Sequence, residues 1–406
     1  MTAAQQTDMT PDSADPECQP PESRPYCRFI DFSPPTSHAR DGRQPTGHPA
    51  DIRLRNRVGA IEALYPDRRL SRSDIARRLG LTRASASDVV ASLMADGFVA
   101  EEGAARGTGR PGKPGTMLRL NAGARQIIAI EIEPSARLRG VVTDMTGRVL
   151  VRRTLPAQEW QDVRRAALDL YRQLAERASA PLLGAGFAAP GIIHANRTIT
   201  SAPNLKWEDI DLADDAERLL PVPTRVDNNA NCAVLGERHF GDGSADMMAI
   251  RIGDGIGVGT MIDDRIVEGA QFTAGEIAHV VVDPGGKPCR CGKRGCLETK
   301  VSAPAIQARV AAGERMEDAL ADVGRLLGDV LAPTLAIIDV NDIVLYGSPV
   351  IDAPTFRHAV QDAINRRISS PFRKPVVVRR TQLDGDIDLL GEVVAVLRWS
   401  LPASQS

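Results

Sequence analysis

His279, Cys289, Cys291 and Cys296 follow one another as H-x9-C-x-C-x4-C inside a glycine-rich stretch. Three thiolates and one imidazole form a closed tetrahedral set suited to structural zinc, one ion per chain. Such an ion would rigidify a loop that has little apolar core of its own. The competing reading is three free thiols beside an unrelated histidine; the number and closeness of the ligand-type residues favour zinc. The chain has 406 residues and six cysteines, too few for a disulfide scaffold. Cys18 and Cys27 lie far from this cluster, and Cys232 reads as a small buried residue.

Two further sets of residues could do chemistry. Glycines stand at alternate positions in Gly253, Gly255, Gly257 and Gly259. They permit close backbone approach to a phosphate, or equally a tight hairpin. Polar side chains also gather near turns: Asn204 after Pro203, the run Asp227-Asn228-Asn229-Ala230-Asn231, and Glu276, His279 and Glu298. Planar amides and carboxylates suit sugar hydroxyls, but each taken singly reads as a turn or capping residue.

The elements that position these groups fall into unlike parts. Residues 1–50 hold nine prolines and few aliphatics, a composition that reads as a disordered tail. From there Leu54, Val58, Ile61 and Leu64 make the stripe of an amphipathic helix. Ser71 with Asp74 starts a short second helix, and Gly80 allows a tight turn. Thr82 caps a third helix carrying Val89, Val90, Leu93 and Met94. Helix, glycine turn, helix is the helix-turn-helix pattern. Strands at 97–100 and 116–120 would flank a Gly/Arg/Pro-rich wing. Thr82, Arg83, Ser85 and Ser87 would face DNA bases and phosphates, and Arg106, Arg110 and Lys113 of the wing would reach phosphate or the minor groove. Beyond residue 125, strands alternate with helices in an α/β pattern, with no internal repeat visible.

Charge follows the same partition. The chain carries 50 Lys+Arg and 52 Asp+Glu, a net of −2. Residues 51–120 contain thirteen basic and eight acidic side chains, a net of +5 on the module shaped for DNA. The first fifty residues carry −3 and the remainder −4. No apolar run approaches the ~18 residues of a membrane span, and the N-terminus lacks a signal-peptide core, so a cytoplasmic protein is expected.

Gly275-Glu276-Ile277-Ala278-His279, followed by Cys289-Arg290-Cys291-Gly292-Lys293-Arg294-Gly295-Cys296-Leu297-Glu298, resembles the ROK family (repressors, open reading frames and sugar kinases). The family pattern is G-E-[IL]-G-H, then C-x-C-G-x-x-G-C-x-E, and only Ala278 departs. Ala189-Pro190-Gly191, Pro203-Asn204-Leu205 and the asparagine run also match, and the resemblance covers roughly residues 51–400. It implies a winged helix-turn-helix over 51–122 and a two-lobed actin-like, hexokinase-like domain over 123–406. Lobe 1 would comprise about 123–226 plus a C-terminal helix at 387–400, and lobe 2 about 227–386. It assigns sugar contacts to Asn204, Asn228, Asn229, Glu276, His279 and Glu298, with His279 serving both zinc and sugar.

The departures separate regulator from kinase. Family kinases carry Asn-Asp-Ala-Asn, whose Asp takes the proton from the sugar hydroxyl; here that position is Asn229, and an amide is no general base. Where the kinases have D-x-G-G-T for ATP phosphates, this chain has Glu131-Ile132-Glu133-Pro134-Ser135. Proline lacks a donating N–H, and Glu133 places negative charge against phosphate. Tyr346-Gly347-Ser348-Pro349 replaces a Gly-Gly turn. The expectation is a sugar-responsive repressor without kinase activity. It would bind operator DNA as a homodimer or tetramer and respond to an aldose or amino sugar. The alternative is an ATP-dependent sugar kinase fused to a DNA-binding domain.

Overall fold

The stripe Leu54, Val58, Ile61, Leu64 lies on the first helix of a computed structural model, α1 (Pro49–Leu64). The structure describes residue 30 and residues 49–104, 115–133, 137–156 and 162–403. Most of the expected tail, and the wing residues Arg106, Arg110 and Lys113, lie outside these.

After α1 come β1 (Leu70–Ser71), α2 (Arg72–Leu79) and α3 (Arg83–Ala95). Ser71 and Asp74 form a reciprocal capping box: the Ser71 hydroxyl accepts from the Asp74 N–H at 3.2 Å, and the Asp74 carboxylate accepts from the Ser71 N–H at 3.0 Å. Gly80 ends α2 at φ +66°, a left-handed conformation that glycine adopts without a Cβ penalty. β2 (Val99–Ala104) and β3 (Thr116–Leu120) pair antiparallel, with β1 on the other edge of β3. The expected winged helix-turn-helix is therefore present. Arg57 of α1 donates to Ser92 and Asp96 near the C-terminal end of α3, fixing the two helices together.

The second unit opens with β4 (Gln126–Glu133), β5 (Arg137–Asp144) and β6 (Val149–Pro156), a meander followed by α4 (Val163–Ala175) and β7 (Leu182–Ala189). A small sheet of β8 (Ile192–His194), β9 (Thr198–Ala202) and β10 (Trp207–Ile210) precedes α5 (Leu212–Leu219) and β11 (Thr224–Asn228). Then α6 (Asn229–Phe240) leads to β12 (Met247–Ile252), β13 (Ile256–Ile262) and β14 (Arg265–Ile266). Short α7 (Glu298–Val301) and α8 (Ala303–Ala311) are followed by α9 (Met316–Ile338), β15 (Asp342–Gly347), α10 (Pro354–Ile368), β16 (Val377–Arg380) and α11 (Ile387–Ala403).

The two five-stranded sheets repeat one topology. The first runs β11-β7-β4-β5-β6 and the second β14-β13-β12-β15-β16. Each is an antiparallel meander of three strands extended by two parallel strands on its first member. The sequence shows no such repeat, because the sheets share strand order and pairing sense rather than residues.

Between the sheets lie α6 and α11, packed on each other, α6 against β12 and β13 and α11 against β4 and β7. Two glycines let them touch: a side chain at Gly236 would strike the Ile387 carbonyl, and one at Gly391 the Cys232 carbonyl. Cys232 is fully buried at this crossing, as its composition suggested. Core residues of α11 (Leu390, Val394, Leu397, Leu401) and of α1 (Ile61, Leu64) belong to one continuous apolar cluster. The winged helix is thus seated on the C-terminal helix. A second attachment is the Tyr65 hydroxyl donating to the Met145 carbonyl at 3.1 Å. Among the described residues no helix is long and apolar enough to cross a membrane.

Candidate functional site

Asn228 ends β11 and caps α6, its Oδ1 accepting from the N–H groups of Ala230 at 2.9 Å and Asn231 at 3.3 Å. Its Nδ2 donates to the Gly191 carbonyl at 2.8 Å, which ties the Ala189-Pro190-Gly191 turn to the helix start. Around this junction opens a polar cleft. Its walls include Asn228 and Glu276 together with Asn196, Asp227, Asn231, Glu268 and Phe272.

The remaining expected sugar residues stand elsewhere. Glu298 starts α7 beside Gly255, where a Cβ would lie 2.7 Å from Glu298 Oε2 and 3.9 Å from Asn204 Nδ2. Asn204 and Glu298 therefore both approach the hairpin turn at Gly255. Asn229 is buried at the first turn of α6. His279 lies behind Glu276, with Nε2 3.8 Å from the Glu276 carboxylate. Asn228 and Glu276 thus share the cleft, whereas Asn204, Asn229, His279 and Glu298 are not among its wall residues.

Asn196, Glu268 and Phe272 carried no separate sequence signal. Asn196 and Phe272 adopt φ of +56° and +58° in turns. An Asn in a turn is a recognisable left-handed candidate, whereas Phe there is an outlier.

The alternate glycines lie on the β12–β13 hairpin. Ile252 pairs with Ile256 across a turn in which the Gly253 N–H donates to the Gly255 carbonyl at 2.9 Å. Side chains at Gly255 and Gly259 would collide with Glu298 and with the Ala230 carbonyl. The glycines let β13 lie against the start of α6 and let Glu298 reach the turn.

His279, Cys289, Cys291 and Cys296 converge so that their ligand atoms all lie within 4.8 Å of one another. His279 Nδ1 is 3.6 Å from Cys289 Sγ, and Cys291 Sγ is 3.6 Å from Cys296 Sγ. Sulfurs sharing a tetrahedral zinc at about 2.3 Å lie roughly 3.8 Å apart, so the four fit one metal ion. Nδ1 faces the sulfurs and Nε2 faces Glu276, as a two-sided histidine requires. Gly292 and Gly295 turn the loop at φ +88° and +67°, and the Leu297 N–H donates to the Val280 carbonyl at 2.8 Å. This places Glu298 directly beyond the last cysteine.

On the DNA-binding module, Thr82 caps α3 by accepting from the Ser85 N–H at 3.1 Å, and its hydroxyl also lies 2.9 Å from the Ser85 hydroxyl. Thr82 and Arg83 are exposed, and Ser85 and Ser87 half-buried. Arg83 has no ion-pair partner among the described residues, while Thr82 and Ser85 are partly occupied by capping.

Charged side chains join the two sheets near the end of β4, while Pro134 and Ser135 lie outside the described residues. Arg251 of β12 lies 2.6 Å from Glu133, 4.0 Å from Glu131 and 3.8 Å from Asp388. Arg139 pairs with Glu131 as well, and Arg152 holds Asp386 through two bonds of 2.8 Å. Glu131 and Asp388 are nearly inaccessible to solvent.

A family model described as ROK family matches residues 128–398, most of the second unit, and the chain belongs to that family. A second model, the IclR helix-turn-helix domain, matches residues 61–103. The chain is 26% identical to a xylose repressor of Bacillus subtilis (strain 168) over 346 residues, covering 79% of this chain and 89% of that protein. It is 43% identical over 149 residues to a glucokinase of Halalkalibacterium halodurans, covering 36% of this chain and 45% of the glucokinase. Among solved structures, a ROK family transcriptional regulator homologous to the E. coli MLC protein superposes with TM-score 0.73 at 20% identity, over 87% of this chain and 98% of that one. The fold is accordingly a winged helix-turn-helix joined to the two-lobed actin-like, hexokinase-like architecture of the ROK family.

Proposed function

We infer that the chain is a sugar-responsive, DNA-binding transcriptional regulator, a repressor of carbohydrate uptake or catabolism genes, whose second unit binds a sugar without phosphorylating it. The observation that carries this reading is one chain holding both an exposed Arg83 at the start of a recognition helix and a polar cleft walled by Asn228 and Glu276, next to which Asn229 stands where the resemblance puts the catalytic base. An amide cannot take a hydroxyl proton, so the cleft keeps binding chemistry and lacks the base.

The chain divides into a winged helix at 51–122 and lobes at about 123–226 with 387–400, and about 227–386, a reading supported for its last segment by the packing of α11 on β4 and β7. In the cleft, Asn228 and Glu276 offer groups suited to vicinal hydroxyls, and Asn204, His279 and Glu298 approach from the hairpin side. Asn229 contributes shape rather than catalysis. The effector is a small aldose or amino sugar, with D-xylose the first candidate because the B. subtilis relative is named a xylose repressor.

Zinc on His279, Cys289, Cys291 and Cys296 would supply structural cross-linking and no reaction chemistry. The loop it closes presents Glu276 on one side and Glu298 on the other.

Thr82, Arg83, Ser85 and Ser87 face the major groove, and Arg106, Arg110 and Lys113 extend the contact through the wing. Each winged helix reads one half-site, so the working form is a cytoplasmic homodimer or tetramer on operator DNA.

Calorimetry with D-xylose, D-glucose and N-acetyl-D-glucosamine tests the sugar reading. Saturable heat with one of them, lost in Glu276→Gln, is expected. No heat with any would overturn it.

A further inference from the structure

Arg225 stands at the back of the cleft, outside the set of groups suited to sugar contact. Its Nε and Nη2 bond the two oxygens of Asp227 at 2.5 and 2.6 Å. Asp227 is a wall residue of the cleft and also accepts from Asn196 Nδ2, another wall residue, at 2.7 Å. The third arm of the same guanidinium leaves the cleft: Nη1 donates to the Ala395 carbonyl of α11 at 3.2 Å. Its charged face lies 5.9 Å from the centre of the Trp399 ring, one helical turn further along α11.

We propose that Arg225 couples the sugar cleft to the DNA-binding module by tying Asp227 to α11, the helix on which the winged helix is seated. The proposal rests on the reading of the chain as a sugar-responsive regulator and adds the route by which the response travels.

Three features support the route. First, the link is stiff. Both partners of the ion pair are almost fully shielded, and the planar guanidinium holds its carboxylate through two parallel bonds, so Asp227 cannot move without moving Arg225 or breaking the pair. Second, α11 carries the displacement onward, because Leu390, Val394, Leu397 and Leu401 share one apolar core with Ile61 and Leu64 of α1. Close-packed cores transmit shifts rather than absorb them. Third, α1 is bolted to the recognition helix through Arg57 on Ser92 and Asp96. Another attachment of the winged helix, Tyr65 on Met145, ends on the β5–β6 turn, away from the cleft walls. A sugar that binds Asp227 and Asn196 differently in two arrangements of α11 would bias the DNA-binding module by that difference in affinity.

Two variants test the coupling. Trp399→Leu removes the ring that Arg225 faces from the α11 side, at a partly exposed position. Arg225→Lys keeps a positive charge beside Asp227 but loses the fork that reaches Ala395. Operator DNA selected by the wild-type protein from a random pool is titrated with and without saturating D-xylose, or whichever sugar gives heat, and sugar affinity is measured by calorimetry. In wild type the sugar should weaken DNA binding by about 5- to 150-fold. In the variants the sugar should still bind within about threefold of wild type, while its effect on DNA falls below about twofold. A residue with only a structural role would lower melting temperature without separating these two readouts. Both variants responding to sugar as wild type does would overturn the coupling. If Arg225→Lys fails to fold, Trp399→Leu decides alone. A wild-type protein that binds sugar and DNA with no effect of one on the other removes the regulatory reading itself, a different result from a wild-type response that the variants retain.

Discussion

Arg251 Nη2 lies 2.6 Å from Glu133 Oε1, joining the second sheet to the first at the end of β4. The same guanidinium is near Glu131 and Asp388, so one cation of β12 lies among two carboxylates of β4 and one of α11. Buried carboxylates repel phosphate, and the arginine that might have attracted it is already neutralised.

The first prediction follows from that pair. Neither the wild-type protein nor Asn229→Asp should release ADP from ATP in the presence of D-xylose or D-glucose in a coupled assay. Asn229→Asp would supply a base, while Glu131, Glu133 and Asp388 around Arg251 would still disfavour a phosphate there. Sugar-dependent ADP release by wild type, lost in Asn229→Ala, would show that the chain is a kinase after all.

Metal content is the second. The purified protein should hold about one zinc per chain by elemental analysis. Cys296→Ser, at a fully buried position, should lose it, lower the melting temperature and weaken sugar binding, because the loop carrying Glu276 and Glu298 would open. Full sugar affinity in zinc-free protein would disconnect the metal from the site.

The recognition helix gives the third. Arg83→Ala should cost about 1–3 kcal/mol of operator binding and relax specificity at one base position, whereas Lys113→Ala should weaken binding to all sequences and reduce the salt slope by about 1. Thr82→Ala should also destabilise α3 by ~1 kcal/mol through loss of its cap. Fluorescence anisotropy against selected operator and scrambled DNA reads the two charge variants, and thermal denaturation reads Thr82→Ala. Unchanged binding in both charge variants would reject the DNA-binding assignment.

Glu392 supplies a pH test. It is fully buried on α11 and accepts from the Cys232 thiol at 3.0 Å. Burial first, then the charge of Asp227, raises its carboxyl well above the ordinary range, against the pull of Arg225. The folded pKa therefore exceeds the unfolded one. Stability from holding that proton is complete below the unfolded value, about 4.3, and declines as pH rises toward the folded value. Glu392→Gln cannot ionise, so its melting temperature relative to wild type should rise between pH 5 and pH 8. A difference that stays flat over that interval would mean that Glu392 is already charged in the folded protein.

Local signals were legible in the sequence wherever the structure is local. The α2 capping box, the α3 cap at Thr82 and the metal cluster all follow from spacings of a few residues. The cleft was only half legible. Asn228 was visible as a polar residue in a run, yet much of its amide is spent on Gly191 and the start of α6. Asn196, Glu268 and Phe272 come from separate turns, and no short-range pattern announces that they meet. The repeated sheet topology was invisible for a related reason: strand order is set by long-range pairing, which different residues satisfy equally well.

The central claim is that one chain both reads DNA and answers to a sugar. It is tested most directly by titrating the full-length protein into fluorescent operator DNA, selected from a random pool, with and without 10 mM-range (~10 mM) D-xylose, a concentration chosen to exceed a roughly millimolar Kd. The account predicts tight binding without sugar and a loss of affinity of about 5-fold or more with it. Operator binding that is absent in both conditions, or identical in both across every sugar that binds the protein, would contradict it.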